Sequence, residues 1–314
     1  MRKLGIANFS LHDGQRDMLT KVAAGAGFEL VFGDDFSDCE VIFGHIGAEQ
    51  VKAAKKLKWL HAGSAGVEHY LRADWGFPES VILTNSAGMH GISIAEHMIA
   101  FTLMLMRRMH SYVLQQPTRK WEYLGTVQSI YNSTITVVGL GGIGSQYAAR
   151  CKALGASDVR GVVRNMRDKP DCVDALFTIN CLDEAIKDAD VVALVLPGTS
   201  ETAGLFDRDR MLKMKKGALI LNVGRGSAIE QDALVELLNS GHLGGAGLDV
   251  TSPEPLPEDH PIWSAPNLIL TPHISGGGSL AITGEMIFDR FMRYFNDYVA
   301  GREFRKVVDK KVGY

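Results

Sequence analysis

Residues 133–144 read Ser-Thr-Ile-Thr-Val-Val-Gly-Leu-Gly-Gly-Ile-Gly, a β-branched run that ends in a GxGxxG turn. Such a run suits a parallel strand buried on both faces. The following segment, Ser145 to Leu154, has helical spacing, so the turn joins a strand to a helix N-terminus. Free N–H groups and the positive end of the helix dipole would then face a pyrophosphate. Gly139 permits the tight turn, Gly141 lets phosphate approach the backbone, and Gly144 lets helix and strand pack closely, with Leu140, Gly142 and Ile143 completing the loop. The hexapeptide alone is a weak signal, since a Gly-rich turn also serves as a plain strand-to-helix connection; strand before and helix after favour a dinucleotide turn.

A dinucleotide site of the NAD type places an acidic residue at the end of the next strand, where it binds the adenosine ribose. Here that strand ends Gly161-Val162-Val163-Arg164. Arg164, with Arg167 or Lys169, can instead pair with a 2′-phosphate, so NADPH is the preferred cofactor. A solvated basic loop around a permissive NAD site is the alternative.

The same strand and helix rhythm runs outward in both directions. Upstream lie Leu4 to Phe9, a helix near Asp13 to Ala26, Glu29 to Phe32, Val41 to Phe43, Leu57 to His61 and Val81 to Thr84. A long helix from about Ser93 to Leu114 follows, apolar on more than one face, as for burial between domains or against another subunit. Downstream strands are expected at Val159 to Val163, Val191 to Leu196, Ala218 to Asn222, Ala246 to Leu248 and Leu268 to Leu270, and a last helix at Ile282 to Val299. The expectation is an α/β protein of two Rossmann-like or flavodoxin-like parallel-sheet domains with a cleft between them.

Bulk composition agrees. The 314 residues are 46% hydrophobic and 22% charged, which is globular rather than disordered or fibrous. Lys+Arg 33 against Asp+Glu 36 gives a net charge of -3, without a long basic run, so nucleic acid and anionic membrane are not expected partners. Cys39, Cys151, Cys172 and Cys181 lack the close pairing of metal or redox sites, and no metal is expected. The amino terminus runs straight into a strand-like segment rather than a signal peptide, and the apolar helix Ile92 to Met106 carries Glu96 and His97. A cytoplasmic protein is expected.

Three further segments each follow an expected strand: Asn222-Val223-Gly224-Arg225-Gly226-Ser227, Leu248-Asp249-Val250-Thr251-Ser252-Pro253-Glu254-Pro255-Leu256, and Thr271-Pro272-His273-Ile274-Ser275-Gly276. Carboxyl ends of parallel strands gather at one edge of the sheet, where ligands bind, so Arg225, Glu254 and His273 can converge.

With these segments in order, the chain resembles the D-isomer-specific 2-hydroxyacid dehydrogenase family, in its glyoxylate/hydroxypyruvate reductase-like branch. The resemblance rests on the Gly-rich turn, Leu196-Pro197 with Thr202, and the Asn-x-x-Arg-Gly, Asp-x-x-x-x-Glu-Pro-Leu and Pro-His-x-x-Gly segments. It implies that His273 is the acid/base, Glu254 supports it, and Arg225 holds substrate carboxylate and carbonyl. Chemistry asks for the same set, since hydride arriving at C2 builds negative charge on the carbonyl oxygen, which a proton donor and a fixed cation stabilise. A carboxylate beside an imidazole favours the imidazolium.

The resemblance further implies a substrate-carboxylate loop at Ser64, Ala65 and Gly66, an interdomain crossing at Asn85, Gly88 and Glu96, and cofactor contacts from Val223, Gly224, Asp249 and Ser275. Asp249 would meet the nicotinamide carboxamide, although a strand-end aspartate is also a common helix cap. The expected domains are residues 1–93 plus 284–314 for substrate and 94–283 for the dinucleotide, in a homodimer built on the long helix. Met89, His90 and Trp121 could frame a bulkier 2-oxo acid, or simply pack. A nucleotide-sensing corepressor of the same fold is the rival from another class, and retention of the Arg, Glu and His set favours an enzyme.

Overall fold

Mostly apolar segments of three to six residues become twelve strands among the described residues, 1–276 and 280–311 of the computed structural model. Every pairing between them is parallel. Parallel strands need crossovers and cover on both faces, which explains the strand and helix alternation and the absence of a polar stripe in the strands.

The chain forms two compact units, Met1–His90 with Gly278–Tyr314, and Gly91–Gly277. The first contains β1 (Arg2–Ala7), β2 (Phe28–Phe32), β3 (Val41–Gly44), β4 (Trp59–Ala62) and β5 (Ile82–Asn85) in the order β2-β1-β3-β4-β5, a flavodoxin-like arrangement. Its first helices are α1 (Asp13–Gly25) and α2 (Ala48–Ala53). Alternation along a strand fills both faces: Ile42 joins one core, while Val41 and Phe43 join the other.

The second unit begins with α3 (Gly91–Met106) and α4 (Met109–Gln115), then alternates β6 (Thr134–Val138), α5 (Gly142–Ala153), β7 (Asp158–Val163), β8 (Ala175–Thr178), α6 (Leu182–Ile186), β9 (Val191–Leu194), α7 (Arg208–Leu212), β10 (Leu219–Asn222), α8 (Gln231–Asn239), β11 (Gly245–Leu248) and β12 (Leu268–Leu270). The sheet order β12-β11-β10-β9-β6-β7-β8 is doubly wound, and the strand order reverses between β6 and β9. Ligands of such sheets sit beyond the carboxyl ends at that reversal. A last helix, α9 (Ala281–Val299), returns to the first unit, where Phe291 stacks on Phe43 at 4.2 Å.

Two expectations are corrected. The helix read as one piece from Ser93 to Leu114 breaks: Arg108 adopts a left-handed backbone (φ +54°) between α3 and α4. The returning chain supports the break, since the Gln128 N–H takes the Met106 carbonyl at 2.8 Å and Arg108 Nε donates to the Thr126 carbonyl at 3.1 Å. Ile94, Met98, Phe101 and Leu105 bury one stripe of α3 in this unit's core, whereas Leu103, Met109 and Val113 remain exposed. The second correction is β8, which sequence reading left out. It is an edge strand of four half-buried residues, Ala-Leu-Phe-Thr, whose pairing with β7 supplies what its pattern does not announce.

Candidate active site

The Gly-rich turn leaves β6 with Gly139 at φ +103°, where a Cβ would lie 2.3 Å from the Val195 carbonyl oxygen. A Cβ on Gly144 would meet the Gly139 oxygen at 2.1 Å, so helix and turn touch through backbone alone. At Gly141, by contrast, a Cβ would meet nothing within 4 Å, and α5 starts there without a side-chain cap. An uncapped N-terminus beside open space on a glycine turn is what a pyrophosphate requires, so these residues fit a dinucleotide.

The remaining expected cofactor residues stand at neighbouring strand ends. Arg164 follows β7 and pairs with Glu201 at 2.8 Å in solvent, its side chain 57% exposed. Arg167 reaches back to the Gly-rich turn and donates to the Leu140 carbonyl at 2.6 Å, while Lys169 binds the Val173 carbonyl. Beyond β9, Leu196 and Pro197 enter a turn closed by Thr202, whose hydroxyl donates to the Pro197 carbonyl at 2.6 Å and accepts the Thr199 N–H.

Arg225 follows β10 after Val223 and Gly224. Asn222 fastens its backbone, accepting from Gly224 N at 3.0 Å and donating to the Arg225 carbonyl at 2.9 Å, and Arg225 Nη1 donates to the Gly224 carbonyl. The next residue must be glycine, because a Cβ on Gly226 would fall 2.0 Å from the Thr251 carbonyl. That close approach lays the Arg225 segment against the turn that carries Glu254.

Glu254 accepts the Thr251 N–H on Oε1 at 3.0 Å, and its Oε2 lies 2.8 Å from His273 Nδ1. A carboxylate only accepts, so Nδ1 carries the proton in this pair and Nε2 is the nitrogen left open. Nε2 makes no hydrogen bond to any described residue, and the His273 side chain is 51% exposed. A cavity of 690 Å³ beside the pair is walled by Pro255, Leu256, Trp263 and Leu270.

The His273 segment is held from beneath by Asp249, which is 1% exposed. Its carboxylate accepts the Ile274 N–H (2.9 Å), the Ser275 N–H (2.9 Å) and the Thr271 hydroxyl (2.5 Å), while its carbonyl takes the His273 N–H at 2.8 Å. His273 itself is left-handed at φ +55°, a conformation kept by these bonds rather than by preference. His97, on α3, approaches Thr271 Oγ1 at 3.0 Å, and burial lowers its pKa against a smaller opposing effect of Asp249. Since the Thr271 hydroxyl proton goes to Asp249, neutral His97 is the donor in that contact. Sequence reasoning did not assign His97, Thr271 or Asn222; the only signal was their place at strand ends and on the buried stripe of α3.

In the other unit, Ser64, Ala65 and Gly66 follow β4. Asn85 Nδ2 donates to the Ala65 carbonyl at 2.7 Å, and Ser86 N to the Ser64 carbonyl at 2.9 Å. The N–H groups of Ala65 and Gly66 meet no acceptor among the described residues. Met89 packs on that unit's core and His90 lies 3.3 Å from the Gly63 carbonyl, whereas Trp121, in the second unit, is fully exposed.

Fold and strand-end chemistry together define a dinucleotide-binding oxidoreductase on a doubly wound sheet. Residues 99–275 match the family model described as D-isomer specific 2-hydroxyacid dehydrogenase, NAD binding domain, and the chain belongs to that family. It is similar to a D-isomer specific 2-hydroxyacid dehydrogenase family protein of Aeromonas salmonicida, with 30% identity, a TM-score of 0.85, and 98% and 99% of the two chains covered. A probable 2-hydroxyacid dehydrogenase of Rhizobium etli, solved with NADP, HEPES and L(+)-tartaric acid, aligns over all of both chains at 26% identity and a TM-score of 0.78. A glyoxylate reductase of Thermofilum pendens is 32% identical over 241 residues, 73% of this chain and 69% of that one. The protein is therefore a 2-hydroxyacid dehydrogenase or reductase of the nicotinamide-dependent type. No helix among the described residues is long and apolar enough to cross a membrane, and none of their His, Cys, Asp and Glu side chains form a metal-binding group.

Proposed function

We propose that this protein reduces a small 2-oxo acid, of the glyoxylate or hydroxypyruvate type, to the D-2-hydroxy acid, with NADPH preferred over NADH. The observation that carries the reading is the His273–Glu254 contact of 2.8 Å, which commits Nδ1 to the carboxylate and turns Nε2 outward as a proton donor. Bound dihydronicotinamide would supply the hydride. His273 then delivers its proton to the carbonyl oxygen as charge develops there. Glu254 keeps the imidazole oriented, its Oε2 on Nδ1. Arg225 is the fixed cation for the substrate carboxylate and carbonyl, and Ser64, Ala65 and Gly66 are substrate-binding residues. Asp249 and Ser275 maintain the loop that presents His273 beside the cofactor.

The NADPH preference is supported by Arg164, by Arg167 on the Gly-rich turn, and by the NADP found with the Rhizobium etli relative. In this reading the Gly139–Gly144 turn, Leu196, Pro197, Thr202, Val223 and Gly224 line the dinucleotide. Residues 1–93 plus 284–314 bind substrate, and residues 94–283 bind cofactor. The exposed apolar side chains Leu103, Met109 and Val113 suit a homodimer interface, and the protein works in the cytoplasm.

Following NADPH oxidation with a panel of 2-oxo acids tests the reading. Turnover with glyoxylate or hydroxypyruvate, and a higher kcat/KM for NADPH than for NADH, is expected. An NADH preference overturns the cofactor assignment; no turnover with any 2-oxo acid overturns the reaction.

A further inference from the structure

The turn that carries Glu254 runs out beyond the end of β11, and its middle, Ser252 to Pro255, is exposed. Packing anchors its two ends: Thr251 lies against the Gly226 backbone, and Leu256 against the second unit's core. Inside the turn, Glu254 Oε1 accepts the Thr251 N–H at 3.0 Å, and the Thr251 hydroxyl donates to the Pro253 carbonyl at 2.9 Å. Those bonds close the turn on itself without fixing its tilt.

A hold from outside comes from Gln231. Its Nε2 donates to the Ser252 carbonyl at 2.8 Å and its Oε1 accepts the Ser252 N–H at 2.9 Å, so one amide takes both backbone groups of one residue. Two bonds from one planar group set orientation as well as distance. Among the described residues, no other side chain from outside the turn hydrogen-bonds the backbone of residues 251–254. His260 Nε2 lies 3.4 Å from the same Gln231 Nε2, but its Nδ1 accepts the Ile262 N–H, so both facing nitrogens are donors and His260 adds no bond to the clamp. Gln231 is itself the first residue of α8, whose Ala233, Leu234, Leu237 and Leu238 are buried. The amide therefore ties an exposed turn to a helix seated in the core.

We infer that Gln231 is a positioning residue for the His273–Glu254 pair, holding the turn through Ser252 so that Glu254 Oε2 stays on His273 Nδ1. This rests on the reading of His273 as proton donor. Without the clamp the turn tilts about Thr251 and Leu256, and water competes for the half-exposed Glu254 carboxylate. The imidazole then loses its fixed tautomer and orientation, and Nε2 no longer presents a proton at one place. Because Gln231 bonds none of the residues assigned to substrate, the loss falls on kcat rather than on KM.

Gln231→Met keeps the length of the side chain and removes both bonds. In 2-oxo acid reduction it should lower kcat by about 10-fold with KM changed less than about 2-fold, at a urea midpoint close to that of the unsubstituted chain. Placed in Glu254→Ala, the same substitution should lower kcat by less than about a further 2-fold, because the pair it serves is already gone. A second readout needs no substrate: long-range ¹⁵N–¹H correlation of the histidine rings in the full chain at about pH 9, with His273 identified by its loss in His273→Gln. The unsubstituted chain should show His273 with the proton on Nδ1, and Gln231→Met should shift it towards the Nε2 form. An unchanged tautomer or an unchanged kcat in Gln231→Met overturns the inference, and so does a loss of kcat that is as large in Glu254→Ala. If no 2-oxo acid is turned over, the proposed reaction fails on its own and the tautomer still decides the clamp.

Discussion

Two histidines of this protein occupy strand-end positions in different units and are used in opposite ways. His61, at the end of β4, is fully buried. Trp59 Nε1 donates to Thr84 Oγ1 at 2.8 Å, the Thr84 hydroxyl donates to His61 Nδ1 at 2.7 Å, His61 Nε2 lies 3.3 Å from Ser86 Oγ, and that hydroxyl donates to the Ala62 carbonyl at 3.0 Å. Each donor and acceptor has one partner, and the chain of bonds closes only with a neutral imidazole. Burial, reinforced by the Arg290 charge, pushes its pKa down to about 3. His273 stands half-exposed on a strained backbone, with a carboxylate on one nitrogen and nothing among the described residues on the other. The same side chain is a scaffold where both ring nitrogens have partners, and presents an open nitrogen where one does not.

Breaking the comparison at His273 should cost activity and not stability. His273→Gln is expected to lower kcat/KM for 2-oxo acid reduction by roughly 10²- to 10⁴-fold while the unfolding midpoint moves little. Steady-state rates beside a urea titration check both halves, and near-normal turnover would remove His273 from the chemistry. Breaking it at His61 should do the reverse: His61→Leu strands the Thr84 and Ser86 hydroxyls and is expected to cost about 2–4 kcal/mol of stability, read by chemical unfolding.

A pH series sharpens the contrast. Because the folded His61 pKa of about 3 lies below its ordinary 6.5, the unfolded chain takes up a proton first as pH falls. The contribution of this group to stability is complete above about 6.5 and is lost as pH drops towards about 3. Unfolding midpoints should therefore decline between about pH 7 and pH 4, and less steeply in His61→Leu; equal slopes would mean that His61 is not the group responsible.

The cofactor loop supplies a third arrangement, a charge on the surface rather than in a network. Arg164→Ser removes a guanidinium whose partner here, Glu201, is itself exposed, so it should shift the NADPH to NADH ratio of kcat/KM by about 10-fold and leave stability unchanged. Smallest is Thr271→Val, which separates His97 from Asp249 without touching His273; a loss in kcat of about 3- to 10-fold with KM little altered is expected. An unchanged kcat would assign the His97–Thr271 contact to packing alone.

Much of the fold and of the candidate site was legible in the sequence because its signals are local. The β-branched run into Gly139–Gly144 carries its strand, turn and helix within twenty residues, and the Arg225, Glu254 and His273 segments each sit directly after an apolar run. Edge strand β8 was not legible, since four half-buried residues make no pattern until β7 pairs with them. Nor was the break at Arg108, because the groups that relieve it, Thr126 and Gln128, lie some twenty residues downstream in an irregular segment.

By itself, then, the amino-acid order determined the class of sheet, the dinucleotide turn and the identities of the charged residues at strand ends, since each depends on neighbours along the chain. Only the tertiary structure decided which histidine is locked neutral, that Asp249 anchors the 271–275 loop, and that His97 reaches it from α3 across 174 positions. Those assignments depend on solvent exclusion and on hydrogen-bond partners brought in from distant segments, and neither quantity exists until the sheet is assembled.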